Sequence, residues 1–311
     1  MAKYLFKHIT GIYILNDSGE VVEYSPFTEK EDFDKPTPEK FQDLKTIDKP
    51  HQQVISEALT KIKKDLNPEL VRAANLKLTK NSIKQSVSKS LLIIQCISAI
   101  EDFDRIISTL STRMREWFAY YLPEYERIHE DNEKLANAII NLSRKEMLDE
   151  ISLDEENTMG SPLEEKDYLP IKKQASYILE LLKLRKENTD YLEGVVQEAC
   201  PNLYSIAGAQ LGAKLIALSG DLERLSLFPA STIQLLGAEK ALFRHMKTGA
   251  KSPKHGIIIQ HPIVQKAGQK HKGKAARAVA DSISIASKVD FFRGNFVGDT
   301  LKDKLEKKFV N

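Results

Sequence analysis

The chain has 311 residues, 41% hydrophobic and 29% charged, with 46 Lys+Arg against 44 Asp+Glu for a net charge of +2. With a mean hydropathy of -0.36, this is a folded, water-soluble chain of about two domain lengths, which excludes a membrane bundle and an extended disordered tail. Its two cysteines, Cys96 and Cys200, both lie in apolar runs, which leaves no material for a disulfide framework or a cysteine-rich zinc module and points to a reducing compartment.

Residues 3 to 27 alternate like a small sheet, as YLFKHIT, GIYILN and VVEYSPF, with the turn residues Asn16, Asp17, Ser18 and Gly19 before the last run. The opening MAKYLFKHITGIYILND lacks the apolar stretch of a signal peptide, and no 18-residue apolar segment follows, so no membrane association is expected. The charged, Pro-containing stretch 28 to 50 reads as a loop. Ile55, Leu59 and Ile62 then predict a helix that stops at Asn67 and Pro68. The run from Ser90 to Tyr125 predicts a buried helix followed by one carrying aromatic residues, ending at Pro123.

From Tyr125 the apolar positions Ile128, Leu135, Ile139 and Leu142, with Asn132 in the missing place, alternate steps of 3 and 4. After a turn at Asn157-Thr-Met-Gly-Ser-Pro162, a second such series runs through Ile171, Ala175, Ile178, Leu182, Arg185, Thr189, Leu192 and Val196. Together they predict an antiparallel coiled-coil hairpin, which either packs on its own domain or protrudes and dimerises. The reading adopted is a homodimer through Ile128, Leu135, Ile139, Leu142, Ile178, Leu182 and Leu192. Beyond Pro201, Gly208 and Gly212 signal a closely packed backbone, and the capping box Ser231-Thr-Ile-Gln234 predicts a helix to about Lys247. The fold class is mainly α: a small α/β N-terminal domain (1–119), an antiparallel coiled-coil hairpin (120–200) and an all-helical C-terminal domain (201–311).

Charge is not spread evenly over these regions. Residues 1–119 hold 18 Lys+Arg against 17 Asp+Glu, residues 120–200 hold 10 against 19, and residues 201–311 hold 18 against 8, giving +1, -9 and +10. Between Lys240 and Ala280 there are ten Lys+Arg, four histidines and no acid, a composition that attracts a polyanion. On the predicted helix, Leu235, Ala238, Leu242 and Met246 share one side, and Lys240, Arg244 and Lys247 the other. The loop TGAKSPKHG adds Lys251, Lys254 and His255. After Lys270, residues Lys274, Arg277 and Lys288 project opposite a packing stripe of Ala276, Val279, Ile283 and Ala286.

Enzyme signatures fail on inspection. Gly268-Gln-Lys-His-Lys-Gly273-Lys274-Ala275 resembles a phosphate loop, but Ala275 replaces the magnesium-binding hydroxyl and no clear strand leads into it. His245, His255, His261 and His271 lack metal-ligand spacing and read as phosphate contacts or surface residues. The carboxylates of 120–200 sit among lysines and arginines as a solvated face. No cofactor, metal or catalytic set is expected.

Gly237-Ala-Glu-Lys-Ala-Leu-Phe-Arg244, Ser252-Pro-Lys-His-Gly256, Gly273-Lys-Ala-Ala-Arg277 and the ending SIASKVDFF occur in an order that resembles the Nop domain of box C/D ribonucleoprotein core proteins. The resemblance is strong over the last hundred residues and rests on layout before them. It implies a non-catalytic scaffold in RNA-guided 2'-O-methylation. Its partners would be box C/D guide RNA, a fibrillarin-type methyltransferase held by the N-terminal domain, a small ribosomal-type kink-turn-binding protein, and a second copy of the chain. It carries Lys240, Arg244, Lys247, Lys254 and His255 over as RNA or ribonucleoprotein contacts, while Lys251, Lys270, Lys274 and Arg277 rest on charge alone. A spliceosomal-type Nop-domain assembly factor and a general RNA-binding coiled-coil adaptor are the alternatives. A cytoplasmic archaeal protein is expected, nucleolar if eukaryotic. The chain stops at Lys307-Lys-Phe-Val-Asn311 without the Lys/Glu-rich tail of many relatives.

Overall fold

A computed structural model describes residues 4–8, 11–16, 20–26, 45–46 and 68–309. The alternating N-terminal runs form β1 (Tyr4–His8), β2 (Gly11–Leu15) and β3 (Val21–Pro26), paired antiparallel in succession, with β4 (Lys45–Thr46) parallel to β1. Asn16 closes the predicted turn: its amide N donates to Glu20 O at 3.0 Å and its Oδ1 accepts from Glu20 N at 2.8 Å. The central strand β2 is buried on both faces, with Ile12 and Ile14 packing with Leu5 on one side and Tyr13 and Leu15 on the other. Helix α1 (Pro68–Gln85) follows. The predicted helix around Ile55, Leu59 and Ile62 lies outside the described residues.

These elements belong to one compact unit, Met1–Ser88, and everything from Lys89 to Asn311 belongs to a second. The second unit begins with α2 (Lys89–Phe118), one 30-residue helix where two were expected. Its partner is α6 (Glu165–Ala199). Lys89 pairs with Glu198, Cys96 Sγ lies 3.3 Å from Asn188 O, Asp104 pairs with Arg185, and Gln174 Nε2 donates to Leu110 O at 3.0 Å. One number rises as the other falls, so α2 and α6 run antiparallel. The N-terminal boundary expected at 119/120 therefore falls at 88/89 by packing, because α2 buries Ile93, Ile97 and Ile100 in the same core as Leu192 and Val196 of α6. That core also continues past 200/201 into the C-terminal helices.

The first predicted arm of the hairpin is not one helix. It breaks into α3 (Pro123–Ile128), α4 (Asn132–Asn141) and α5 (Arg144–Glu150). Two causes are visible. Arg115 of α2 turns its guanidinium into the first break, donating to Glu126 Oε1, Asn132 Oδ1 and the carbonyls of Glu126, His129 and Glu130 at 2.6 to 3.3 Å. Carbonyls engaged in this way do not need a following helical turn. Asp131 then caps α4, and a Ser143/Glu146 capping box restarts the chain as α5.

The C-terminal part contains α7 (Pro201–Ser219), α8 (Leu222–Leu227), α9 (Ala230–Leu235), α10 (Glu239–Thr248), a 3-10 turn (Ile257–Gln260), α11 (Pro262–Lys266), α12 (Lys272–Phe291) and α13 (Gly298–Phe309). The stripe Ala276, Val279, Ile283 and Ala286 of α12 is fully buried at the centre of this core, and α7, α8, α9 and α13 pack around that helix. Cys96 and Cys200 are both free and buried, and burial, helped by nearby Asp290, pushes the Cys200 thiol up to about 12. No helix among the described residues is long and apolar enough to cross a membrane.

Gly208 breaks α7 at φ +71° with no neighbour crowding it, so its role is conformational and the close backbone packing expected there is absent. His261, expected at the surface, is buried close to this break. Its Nε2 donates to Ile206 O at 2.9 Å, and its Nδ1 accepts from Ile263 N at 3.2 Å to cap α11. Burial holds its pKa below the usual histidine value.

Candidate nucleic-acid interface

The expected single helix from Ser231 to Lys247 is two, α9 and α10, separated by a turn at Leu236, Gly237 and Ala238. Gly237 takes φ +83°, and a Cβ there would stand 2.4 Å from Ile257 Cγ2, so only glycine lets the chain turn against the following segment. At Gly256 the approach is closer still: a Cβ would meet Leu236 O at 1.8 Å. Across this contact Gly256 N donates to Gln234 O at 2.7 Å, Ile257 N donates to Leu236 O at 2.8 Å, and Gln234 Nε2 donates to Lys254 O at 2.7 Å. The loop carrying Lys251, Lys254 and His255 is thus stitched to the root of α10.

With its root turned, α10 stands free: none of its ten residues is buried. Lys240, Arg244 and Lys247 share one exposed face, as the spacing predicts. The opposing stripe is corrected, because Leu235 belongs to α9, Ala238 is the cap residue, and Met246 is 69% exposed beside Phe243 at 58%. The break at Gly237 rotates α10 away from the register a continuous helix would have kept. Gly249, in the left-handed region at φ +67°, ends α10, its N–H donating to His245 O at 2.9 Å, and His245 Nδ1 meets Ala250 O.

The third segment is the start of α12. A Cβ on Gly273 would lie 3.9 Å from both Cβ and Cδ of Lys254, so the Lys254 side chain runs along this helix start next to half-buried Lys272 and exposed Lys274. Lys270, His271 and Arg277 are exposed, and His255 is half-buried. Lys254 thus joins the predicted loop to the predicted helix. Among the described residues, none of the ten Lys and Arg side chains between 240 and 277 forms an ion pair. Spacing placed Met246 on the packing side and did not single out Phe243, though both flank the cationic face with exposed apolar surface, nor did it single out Lys266 and Lys272, which extend the charge; a positive φ at Gly237 was the missing signal.

The residues read as a self-association seam are placed differently. Leu135, Ile139, Ile178 and Leu192 are fully buried inside one chain, so a second copy has no access to these four, while Leu142 and Leu182 are half-buried against the core that holds Leu135, Ile139 and Ile178. Ile128 alone of the seven is exposed. Exposed apolar residues also line the long pair: Leu92, Ile106 and Trp117 of α2 at steps of 14 and 11, and Tyr177, Leu184 and Tyr191 of α6 at steps of seven. This spacing keeps each set on one helix face.

A family profile described as Nop, snoRNA binding domain, fibrillarin, matches residues 99–311. Among similar proteins, a NOP5 family protein of Methanocaldococcus jannaschii is 41% identical over 246 residues, covering 74% of this chain and 59% of its own length. Nucleolar protein 56 of Mus musculus is 35% identical over 238 residues, covering 70% of this chain and 41% of its own. The protein of that name in Schizosaccharomyces pombe is 35% identical over 256 residues, with 75% and 52% covered. The chain thus spans between about two fifths and three fifths of these relatives. A solved structure of a fibrillarin/Nop5p complex aligns over 98% of both chains at 21% identity and a TM-score of 0.47.

Proposed function

Since the chain belongs to the Nop family, we propose that it is a non-catalytic scaffold of a box C/D-type guide ribonucleoprotein. In this reading the cationic surface of α10, the 251–256 loop and the start of α12 holds guide RNA together with a small kink-turn-binding protein. The N-terminal domain holds a fibrillarin-type methyltransferase, which supplies the chemistry of 2'-O-methylation. The observation that carries the reading is the set of ten cations without ion-pair partners among the described residues, set partly on a helix that buries none of its residues. Cations left unpaired in this way are free to displace counterions from phosphates. Phe243 and Met246 add an apolar contact suited to the protein half of a composite RNA and protein surface.

Self-association belongs to the same proposal, carried by the outer faces of α2 and α6 in place of the buried series. Two such faces from two copies would form a four-helix arrangement of coiled-coil type. For the N-terminal domain, the candidate methyltransferase surface within Tyr4 to Ile14 narrows to the half-exposed Tyr4, Phe6, Lys7 and His8, because β2 is buried on both faces.

The test is reconstitution of the full chain with guide RNA, fibrillarin and kink-turn-binding protein, leaving out one component at a time. The triple variant Lys240→Ala/Arg244→Ala/Lys247→Ala should bind the RNA and kink-turn-protein complex at least tenfold more weakly while keeping its circular dichroism. Equal binding would remove the cationic face from the interface. Tyr177→Ser/Leu184→Ser/Tyr191→Ser should reduce the sedimenting mass of a dimeric wild type, and an unchanged mass would move the self-association surface elsewhere.

A further inference from the structure

The far end of α12 carries a second feature that the cationic surface does not use. Phe291 is followed by a turn, Phe292-Arg293-Gly294-Asn295-Phe296, in which Phe292 is 70% and Phe296 54% exposed. Arg293 sits at φ +54°, a left-handed conformation costly for a side chain of this kind. The turn is held from both sides. Asp290 accepts from Asn202 N at 3.1 Å, Asn202 Nδ2 at 2.7 Å and Leu203 N at 2.8 Å, and Asn202 Oδ1 accepts from Val297 N at 2.6 Å. Gly294 N donates back to Val289 O at 2.8 Å, and the Phe291 and Phe292 rings meet edge to face at 5.0 Å.

Two aromatic rings are therefore presented to solvent by a clamped backbone, with Arg293 between them. Exposed Lys288 stands one helical turn before Phe292, and among the described residues neither Arg293 nor Lys288 pairs with a carboxylate. Of the acids nearby, Asp290 is engaged by its three N–H donors, Glu198 by Lys89 and Asp299 by Ser205 Oγ, while Glu306 lines a cleft beside Phe296. Phe296 also forms the ridge between two open clefts of about 620 and 670 Å³, one lined by Tyr204 and Lys302 and the other by Asn202 and Arg293. Both volumes lie within the roughly 300–1,000 Å³ of small-ligand sites.

We infer that this turn is a second RNA contact, specific for single-stranded RNA, with bases stacking on Phe292 and Phe296 and phosphates meeting Arg293 and Lys288. It extends the scaffold reading, on which it rests. Rings with adjacent cations supply both things a single strand offers, π-faces and phosphates, whereas a duplex keeps its bases stacked inside and has no use for the rings. The 20 residues of α12 put the turn about 30 Å from Lys272 at a rise of ~1.5 Å per residue, so the two contacts hold separate stretches of RNA.

The experiment uses the full chain, a labelled 12-nucleotide oligouridine and a 12-base-pair RNA duplex, read by fluorescence anisotropy. Phe292→Ala/Arg293→Gly removes a ring and a charge, and glycine relieves the left-handed backbone, so the fold should be retained. Oligouridine should bind about tenfold more weakly to this variant, with a salt slope reduced by about 0.7, while duplex binding is unchanged. Arg293→Gly alone should give the same loss of slope. Equal oligouridine binding by wild type and variant overturns the inference, as does an equal loss for duplex. Failure is separable from that of the scaffold reading, because the Lys240/Arg244/Lys247 triple variant tests guide-complex binding independently.

Discussion

Residues 89–200 and residues 240–277 are both rich in charge and treat it in opposite ways. The first region holds 14 Lys+Arg and 23 Asp+Glu. Eight of those cations pair with carboxylates, including Arg115 with Glu126, Arg144 with Glu155 and Arg185 with Asp104. The second holds ten cations, and none of them is paired among the described residues. Surface pairs contribute only about 0–1 kcal/mol each, so pairing in the first region is weak as a source of stability. What separates the regions is whether the chain completes its own charge: it does so over residues 89–200, and it does not around α10, the surface proposed above to meet a polyanion. Self-repulsion among unpaired cations is the cost of keeping that surface open.

Substitutions should break the two regions in different ways. In the hairpin the largest effect is on folding: Ile139→Ala, at a fully buried position, should lower unfolding free energy by about 2–5 kcal/mol. Lys247→Ala, on an exposed and unpartnered face, should change it by less than ~0.5 kcal/mol. Urea titration at constant slope checks both, and comparable losses would show α10 to be part of the core. Next in size, Arg115→Ala should cost about 1–3 kcal/mol by stranding acceptors at the α3–α4 break. Hydrogen exchange should locate the loss in residues 123–141, and uniform loosening would mean the guanidinium does not hold that break.

The two regions were also unequally legible. The α12 stripe and the series from Ile171 to Val196 could be read because each is a long run at one period, packed against a continuous surface. The first arm kept the same period but not the same structure. Its breaks are set by Arg115, which is distant in sequence, and by the Ser143/Glu146 capping box, which the sequence does contain and which heptad spacing passes over. At the interface the cations could be found by counting, yet the turn that frees α10 depends on Ile257 packing against Gly237 from 20 residues on. His261 was misplaced for a related reason: the carbonyl it satisfies lies near a helix break 55 residues earlier.

The smallest expected effect is on pH dependence, and it belongs to the core of the C-terminal part. Burial lowers the pKa of His261 in the folded state below the ordinary value of 6.5. The unfolded chain therefore binds its proton first as pH falls, and stability present above pH 6.5 should decline below it. The Tm of the wild type should drop between pH 7 and pH 5, and His261→Gln should flatten that slope because glutamine can still donate to Ile206 O but does not titrate. A steeper or unchanged slope in the variant would assign the effect to another group.

The central claim is that unpaired cations bind RNA and paired ones do not, and salt dependence tests it most directly. Affinity for guide RNA with the kink-turn-binding protein should be measured against salt concentration for wild type, Lys240→Ala/Arg244→Ala/Lys247→Ala, and Arg105→Ala/Arg113→Ala/Lys183→Ala, the last drawn from paired, exposed cations of the hairpin. The account predicts that the slope of log K against log salt falls by about one per residue removed from α10 and stays at the wild-type value for the hairpin variant. Equal slopes for the two variants, or a larger loss in the hairpin, would contradict it.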